Sequence, residues 1–468
     1  MRIHPESPLV TSPFVQMVVY QDNAAIWHSL FGTLKIVPIR TLTFLNQFRT
    51  PKILNDVRTN LSENNAMTAI QELFDSSFLI FNGFDERTFL AQKMTEREAN
   101  ITNGSLISYL GLIVSETCNF RCDYCIHFRN REISGCPNNF RTLMNFEVAR
   151  TSVDQYLSIL RQHGKTAASI SFGGGEPLLA WQVIKQIIEY CLSTYGTRFA
   201  FHFSLTTNAS LITPEIAQLL KQYQVELASS LDGFREGNNR VRLTKAGDGT
   251  YDLILAGLKN LESVNYPLQV IGMTMNEKNF PFLDERIIDW AAERGISNIR
   301  IDIDIIDMVA LATEAIVQKI MQVYQYAKAH GIEVSGYWSR PAKNLTKSTI
   351  DPRGVAFCGA ARGNTLCVNP SGTIYSCGYS NIQFGTISQF GLLFSPEKEY
   401  HRFVRNHLTG AMEMCRGCII EGQCAGGCNI THEFARAAGT GKIKFMCDLY
   451  RRMTRKLLIE QLHETCSH

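Results

Sequence analysis

The chain has 468 residues, 45% hydrophobic and 19% charged, which suits an ordinary folded protein of roughly two to four domains. A net charge of +3, from 46 basic and 43 acidic side chains, is too balanced to imply by itself a partner such as nucleic acid or a membrane surface. No apolar run reaches the roughly 18 residues of a membrane-spanning helix, and no basic-then-apolar stretch opens the sequence, so a cytoplasmic protein with its 14 cysteines reduced is expected.

In chain order, residues 1–100 read as one unit. Residues 14–20 are strand-like, a turn falls at Phe31 and Gly32, and Leu42, Leu45 and Phe48 mark a short amphipathic helix. Ala66, Met67, Ile70, Leu73 and Phe74 mark another helix, 78–81 reads as a strand, and the polar stretch 95–105 reads as a linker. Strand-like runs then fall at 110–114, 168–172, 199–205, 225–230, 268–275 and 299–305, separated by helical patterns such as Val183/Ile184/Ile187/Ile188. Six alternating units imply an α/β fold with a parallel sheet and right-handed crossovers. They are too few to close an eight-fold barrel, so a partial (βα)6 TIM-like barrel is expected, with its chemistry at the C-terminal strand ends. From 340 to 447 glycine and cysteine replace the periodicity, as in a small domain held by metal, and a helix over 448–463 closes the chain.

The first barrel strand runs into Cys118-Asn-Phe-Arg-Cys122-Asp-Tyr-Cys125. Thiolates are soft ligands that suit iron–sulfur clusters and zinc. Three cysteines on a tight loop can hold three irons of a [4Fe–4S] cube and leave the fourth open, whereas structural zinc wants a closed set of four. A zinc knuckle is the competing reading. The triad resembles the signature of the radical SAM superfamily, including Tyr124 before its last cysteine. The resemblance implies that the open iron binds S-adenosylmethionine (SAM) and that an electron from the cluster cleaves it to a 5′-deoxyadenosyl radical.

Later strands carry further motifs. The second runs into Gly173-Gly174-Gly175-Glu176-Pro177. Glycines let the backbone approach a ligand, and by the resemblance this segment receives the SAM amino group. The third ends in Thr206-Thr207-Asn208, and the fourth in Ser230-Leu231-Asp232-Gly233, with Arg242 beyond. The fourth resembles a segment of sulfatase-maturating and peptide-modifying members whose serine and arginine hold the SAM carboxylate and ribose. The expected SAM-binding set is therefore Tyr124, Gly174, Gly175, Glu176, Asn208, Ser230 and Arg242. Asp232 with Gly233 reads equally as a turn. The sixth strand alternates Arg300, Asp302 and Asp304 with isoleucines, which puts its charge on one face. Asp302 and Asp304 are candidate catalytic carboxylates, with a structural ion pair as the alternative.

The C-terminal cysteines follow Cys358-x13-Gly372-x4-Cys377, then Cys415-x2-Cys418-x5-Cys424-x3-Cys428, then Cys447. This spacing is similar to the SPASM domain of peptide- and sulfatase-maturing enzymes. The resemblance implies two auxiliary [4Fe–4S] clusters, one on Cys358, Cys377 and Cys428, the other on Cys415, Cys418, Cys424 and Cys447. Cys367 is the candidate fourth ligand of the first. Cys136, Cys191 and Cys466 fit no motif, and Cys191 continues an apolar helix face. His127, just past the triad, is read as a neighbour rather than a ligand.

The element order of residues 1–100 resembles the winged-helix recognition element of peptide-modifying systems, which adds a precursor's leader as a strand to a sheet edge. Nine basic and ten acidic side chains leave it without the footprint of a DNA-binding winged helix. The expected domains are thus 1–100 (leader recognition), 108–338 (radical SAM barrel), 340–447 (SPASM) and 448–468 (final helix). The implied function is radical modification of a ribosomally made peptide or protein, with SAM and three [4Fe–4S] clusters as cofactors. Flavodoxin or ferredoxin is the expected electron donor, and no nucleic acid or membrane partner is expected. A thioether or other crosslink is the expected product. Formylglycine and an epimerised residue are alternatives. Many sulfatase-maturing relatives place an aspartate base directly after the cysteine matching Cys377, where this chain has Gly378, which cannot take a proton. A non-catalytic, zinc-held adaptor is the alternative from another class.

Overall fold

The computed structural model describes residues 3–57, 63–127, 142–305, 311–351, 355–438 and 441–466. Leu9–Thr11 (β1), Val15–Tyr20 (β2), Asn23–His28 (β3), Gly32–Pro38 (β4) and Leu79–Phe81 (β5) belong to the N-terminal unit. β2, β3 and β4 form an antiparallel sheet, and β1 pairs with β5. The sequence reading contains β2, β5 and the helices Ile39–Leu45 and Glu63–Asp75, but not β1, β3 or β4. β3 is buried from Ala24 to His28, so it has no alternation to read. The stretch 95–105 is not a linker. It lies largely in the helices Glu86–Glu96 and Glu98–Thr102, with Arg97 between them 2% exposed and Ile101 packed into the core. Its polar composition belongs to the outer face of those helices.

The barrel strands are Tyr109–Ser115 (β6), Ala167–Gly174 (β7), Ala200–Thr207 (β8), Glu226–Ser230 (β9), Val270–Met275 (β10) and Asn298–Ile303 (β11), matching the six expected runs. The helices between them follow from apolar spacing and local caps. Phe146–Gln162, for example, buries Ala149, Val153, Tyr156, Leu157 and Leu160, and its N-cap Asn145 accepts a hydrogen bond from the Val148 N–H at 2.9 Å.

Six strands prove too few. Glu333–Ser335 (β12) adds parallel to β11, and Thr365–Val368 (β13) adds parallel to β6. Thr373–Tyr375 (β14) and Gln383–Thr386 (β15) follow antiparallel. Among the described residues the result is one open ten-stranded sheet, ordered β12-β11-β10-β9-β8-β7-β6-β13-β14-β15. The cysteine-rich region packs against the barrel: Phe357, Leu366, Ile374 and Phe384 share one apolar core with Ile170 and Ile301. The last helix, Gly441–Cys466, starts earlier than expected and contains Cys447. Among the described residues, no helix is long and apolar enough to cross a membrane.

Candidate active site

The strand ends open into a cavity of about 520 Å³ lined by Cys118, Cys122, Cys125, Cys358, Cys367, Cys377 and Cys428. Seven thiols from distant parts of the chain thus face one space. Gly174, Gly175, Asn208, Ser230, Arg242, Asp302 and Asp304 line it too.

The triad loop is held by the glycine-rich turn. The Gly175 N–H donates to Ser115 O at 2.7 Å, and the Glu176 N–H to Thr117 O at 2.9 Å. A Cβ at Gly174 would fall 2.1 Å from Ser115 O, and one at Gly175 would fall 2.2 Å from Thr117 O. These glycines therefore admit the neighbouring backbone first, rather than only a ligand. Glu176 departs from expectation. It is 1% exposed and does not line the cavity. Its carboxylate accepts from Leu178 N at 3.0 Å, Thr207 Oγ1 at 2.7 Å and Asn208 N at 2.8 Å. Burial raises its pKa against these three bonds. Glu176 ties the end of β7 to the end of β8.

Asn208, so positioned, directs its amide to Asn119 Oδ1 at 2.8 Å and to Cys118 Sγ at 3.8 Å. Tyr124, Asp232 and Arg242 form a buried network. Arg242 Nη2 donates to the Tyr124 hydroxyl, which donates to Asp232, while Arg242 Nε reaches Asp232 Oδ2 at 3.2 Å. Arg242 Nη1 lies 3.6 Å from Cys122 Sγ. Asp232, 2% exposed, also accepts from the Thr274 N–H at 2.7 Å. It orients the arginine rather than forming only a turn, and the short Ser-Leu-Asp-Gly motif gave no sign of its partners.

On β11, Arg300 Nε bonds Asp302 Oδ2 at 2.5 Å, and the Tyr337 N–H donates to Asp302 Oδ1 at 2.9 Å. The ion-pair reading of Asp302 is thus the geometry observed. Asp304 is 5% exposed at the strand end. The Tyr337 ring carries the guanidinium groups of both Arg300 and Arg340, each at 4.9 Å. Tyr379 lines the cavity with 43% of its surface open. It lies within electrostatic reach of Cys377, Cys125, Arg300 and Asp302, and its ring is 5.2 Å from that of His127. Tyr337, Arg340 and Tyr379 escaped the sequence reading because no periodicity or spacing links them.

The C-terminal thiols fall into two sets. Cys377 is within electrostatic reach of Cys367, Cys428 and Cys358, and Cys424 is within reach of Cys447, Cys415 and Cys418. Burial pushes the thiol pKa up to about 11 at Cys118 and about 12 at Cys122, Cys367, Cys415 and Cys428. Bound metal offsets that penalty, because its charge favours the thiolate. Among the described residues, no three His, Cys, Asp or Glu side chains converge tightly enough to chelate a single ion. Beside the cysteines, the buried hydroxyls of Ser376, Thr431 and Tyr450 find no partner among the described residues. Soft thiols with spare donors around them suit a group rich in sulfur acceptors, so the residues fit an iron–sulfur group. Cys191 is buried in the core, and Cys136 lies outside the described residues.

Residues 112–280 match the Radical SAM superfamily, a span holding the triad and the ends of β6 to β10. This span is a radical SAM domain, which makes the protein an enzyme, and such a domain takes SAM and a [4Fe–4S] cluster. Over 465 residues, 96% of each chain, it is 27% identical to the radical SAM cyclopropyl synthase TigE of Paramaledivibacter caminithermalis. Native anSMEcpe with bound AdoMet shares the fold at TM-score 0.57 and 17% identity, over 75% of this chain and 99% of that one. Streptococcus suis SuiB bound to precursor peptide SuiA does so at TM-score 0.52 and 13% identity, over 90% of this chain and 96% of that one.

Proposed function

We propose that this enzyme modifies a leader-bearing, ribosomally made peptide by forming a carbon–carbon bond with loss of two hydrogens. The observation that carries this reading is the likeness to a cyclopropyl synthase along 96% of both chains. When bound, SAM and the iron–sulfur groups supply the hydrogen-abstracting radical and one-electron chemistry. The chain's own residues bind and orient. Arg242, braced by Asp232 and Tyr124, holds SAM together with Ser230, Asn208 and the Gly174–Gly175 backbone. Asp304 accepts a substrate proton, while Asp302, tied to Arg300, shapes the cavity wall.

Cys118, Cys122 and Cys125 hold the SAM cluster. Cys358, Cys367, Cys377 and Cys428 hold one auxiliary cluster, and Cys415, Cys418, Cys424 and Cys447 another, within a SPASM domain spanning 340–447. A thioether route needs an open metal position for a substrate thiolate at the first auxiliary set. The grouping of Cys367 with the other three thiols supports a closed set instead, which favours carbon–carbon over carbon–sulfur bonding. Gly378 lines the cavity without a base, which disfavours formylglycine.

Residues 1–100 are the leader-recognition domain, of winged-helix type. Support comes from β2, an edge strand whose Met17 and Val19 are 43% and 44% exposed. Flavodoxin or ferredoxin supplies electrons. The test is mass spectrometry of a precursor encoded beside the gene, coexpressed with the enzyme. A peptide lighter by two hydrogens, with its cysteines still alkylatable, is expected. An unchanged mass with an inverted residue, or an aldehyde-reactive product, overturns the reading.

A further inference from the structure

The last helix places Tyr450 between the two C-terminal thiol sets. Cys447 and Tyr450 are three positions apart, so they share one face of the helix. Tyr450 is 2% exposed, in contact with Phe357 at a ring distance of 5.2 Å. Gly427 lies against this ring. An added Cβ there would lie 3.0 Å from Tyr450 Cε2 and 3.9 Å from Cys424 Sγ, so the ring edge and that sulfur approach each other across a glycine. The groups within electrostatic reach of the phenol are Cys428, Cys424, Arg340 and Tyr337. Of these, Cys428, Arg340 and Tyr337 line the active-site cavity. The hydroxyl itself is buried with no acceptor among the described residues.

A buried phenol without an acceptor forfeits a hydrogen bond that a core phenylalanine would never need. Its retention in the core makes sense where a bound group supplies the acceptor. We propose that the Tyr450 O–H donates to a sulfur of the iron–sulfur group held by Cys358, Cys367, Cys377 and Cys428, and so raises that group's reduction potential. This inference rests on the proposed ligand set. Hydrogen bonds to cluster sulfurs stabilise the more negative, reduced state, because added electron density strengthens the acceptor. Tyr450 is thus a positioning residue. It biases where an electron leaving the substrate side comes to rest, and it touches neither SAM nor substrate.

The test uses the fully reconstituted enzyme, titrated electrochemically with each cluster followed by electron paramagnetic resonance. Tyr450→Phe keeps the ring and removes only the hydroxyl. At a fixed poised potential, the reduced-to-oxidised ratio of the auxiliary cluster that is lost on Cys377→Ala with Cys428→Ala is expected to fall about tenfold, equivalent to about 59 mV for a one-electron couple, and a shift of the other auxiliary cluster alone overturns the proposal. The triad cluster should be unmoved and the iron content unchanged. Tyr450→3-fluorotyrosine, which strengthens the donor, should shift the same cluster the other way, and it remains informative if the phenylalanine variant loses iron. Unmoved potentials in both variants overturn the proposal and reduce Tyr450 to core packing. The underlying ligand assignment is checked separately. If Cys377→Ala with Cys428→Ala removes no iron, that assignment fails instead.

Discussion

Gly111 on β6 and Cys367 on β13 are direct register partners, and a Cβ at position 111 would lie 2.7 Å from the Cys367 sulfur. One missing side chain on the first barrel strand therefore leaves the room in which a C-terminal thiol reaches the cavity.

Gly111→Ala should displace Cys367. Overpacking of this kind costs about 1–3 kcal/mol. If Cys367 ligates an auxiliary cluster, the variant should also lose iron from that cluster, while SAM cleavage by the triad cluster continues. Iron analysis and thermal unfolding measure both effects. Full iron occupancy in a destabilised variant would show that Cys367 is no ligand.

Replacing Cys118, Cys122 and Cys125 together with Ala should remove about a third of the iron, on the basis of three four-iron clusters. It should abolish reductive cleavage of SAM to 5′-deoxyadenosine. Chromatographic detection of 5′-deoxyadenosine at the normal rate would sink the assignment of the triad.

Residues 1–100 cannot be removed cleanly. Arg87 forms a bidentate pair with the fully buried carboxylate of Glu421, at 2.8 and 3.0 Å, and Trp27 Nε1 donates to Ile419 O at 2.6 Å. Both partners neighbour Cys418 and Cys424. Arg87→Ala should leave the Glu421 carboxylate its bond from the Gly417 N–H at 3.0 Å but take away its charged partner, and lower stability by about 2 kcal/mol, the scale of a charged hydrogen bond lost at a buried group. Denaturant unfolding checks it, and an unchanged midpoint would contradict it.

A gentler probe of leader docking is Met17→Lys with Val19→Lys, which puts two charges on the exposed side of β2. SAM cleavage without peptide should be unaltered. Modification at limiting precursor should fall at least tenfold and recover at saturating precursor, because docking acts through effective concentration (about 1.4 kcal/mol per tenfold). An unchanged rate at limiting precursor assigns the edge strand no part in recognition.

Burial lifts Cys118 to about 11 and Cys122 to about 12, from the ordinary 9.0. Raised thiol pKa values mean that the folded, metal-free protein holds these protons more tightly than the unfolded chain. That contribution to stability is fully present below about pH 9 and is lost as pH climbs through 11 to 12. The melting temperature of metal-free protein should therefore fall between pH 9 and 11 more steeply than that of metal-loaded protein, whose thiolates are already ligated. Parallel slopes in scanning calorimetry would show that these thiols are not buried as described.

Much of the site was legible because its chemistry is local in sequence. Cys118, Cys122 and Cys125 share one loop, Gly174 and Gly175 one turn, and the alternation of Arg300, Asp302 and Asp304 already put their side chains on one face. Period and residue type also sufficed for β6 to β11, since a parallel strand between helices carries its own apolar signature. Tertiary structure decided what depends on pairing between distant segments. β12 and β13 are three and four residues long, too short to show a period, and they count as barrel strands only through their hydrogen bonds to β11 and β6. Glu176 sits in a motif that suggests a ligand contact, but Thr207 and Asn208, from the next strand, claim its carboxylate. The same holds for Asp232 with Arg242, Cys367 with Gly111, and Tyr450 between two thiol sets. A sequence specifies which groups each residue offers, whereas burial and the nearest partner fix what each group does, and those arise only when the sheet closes these segments around one cavity.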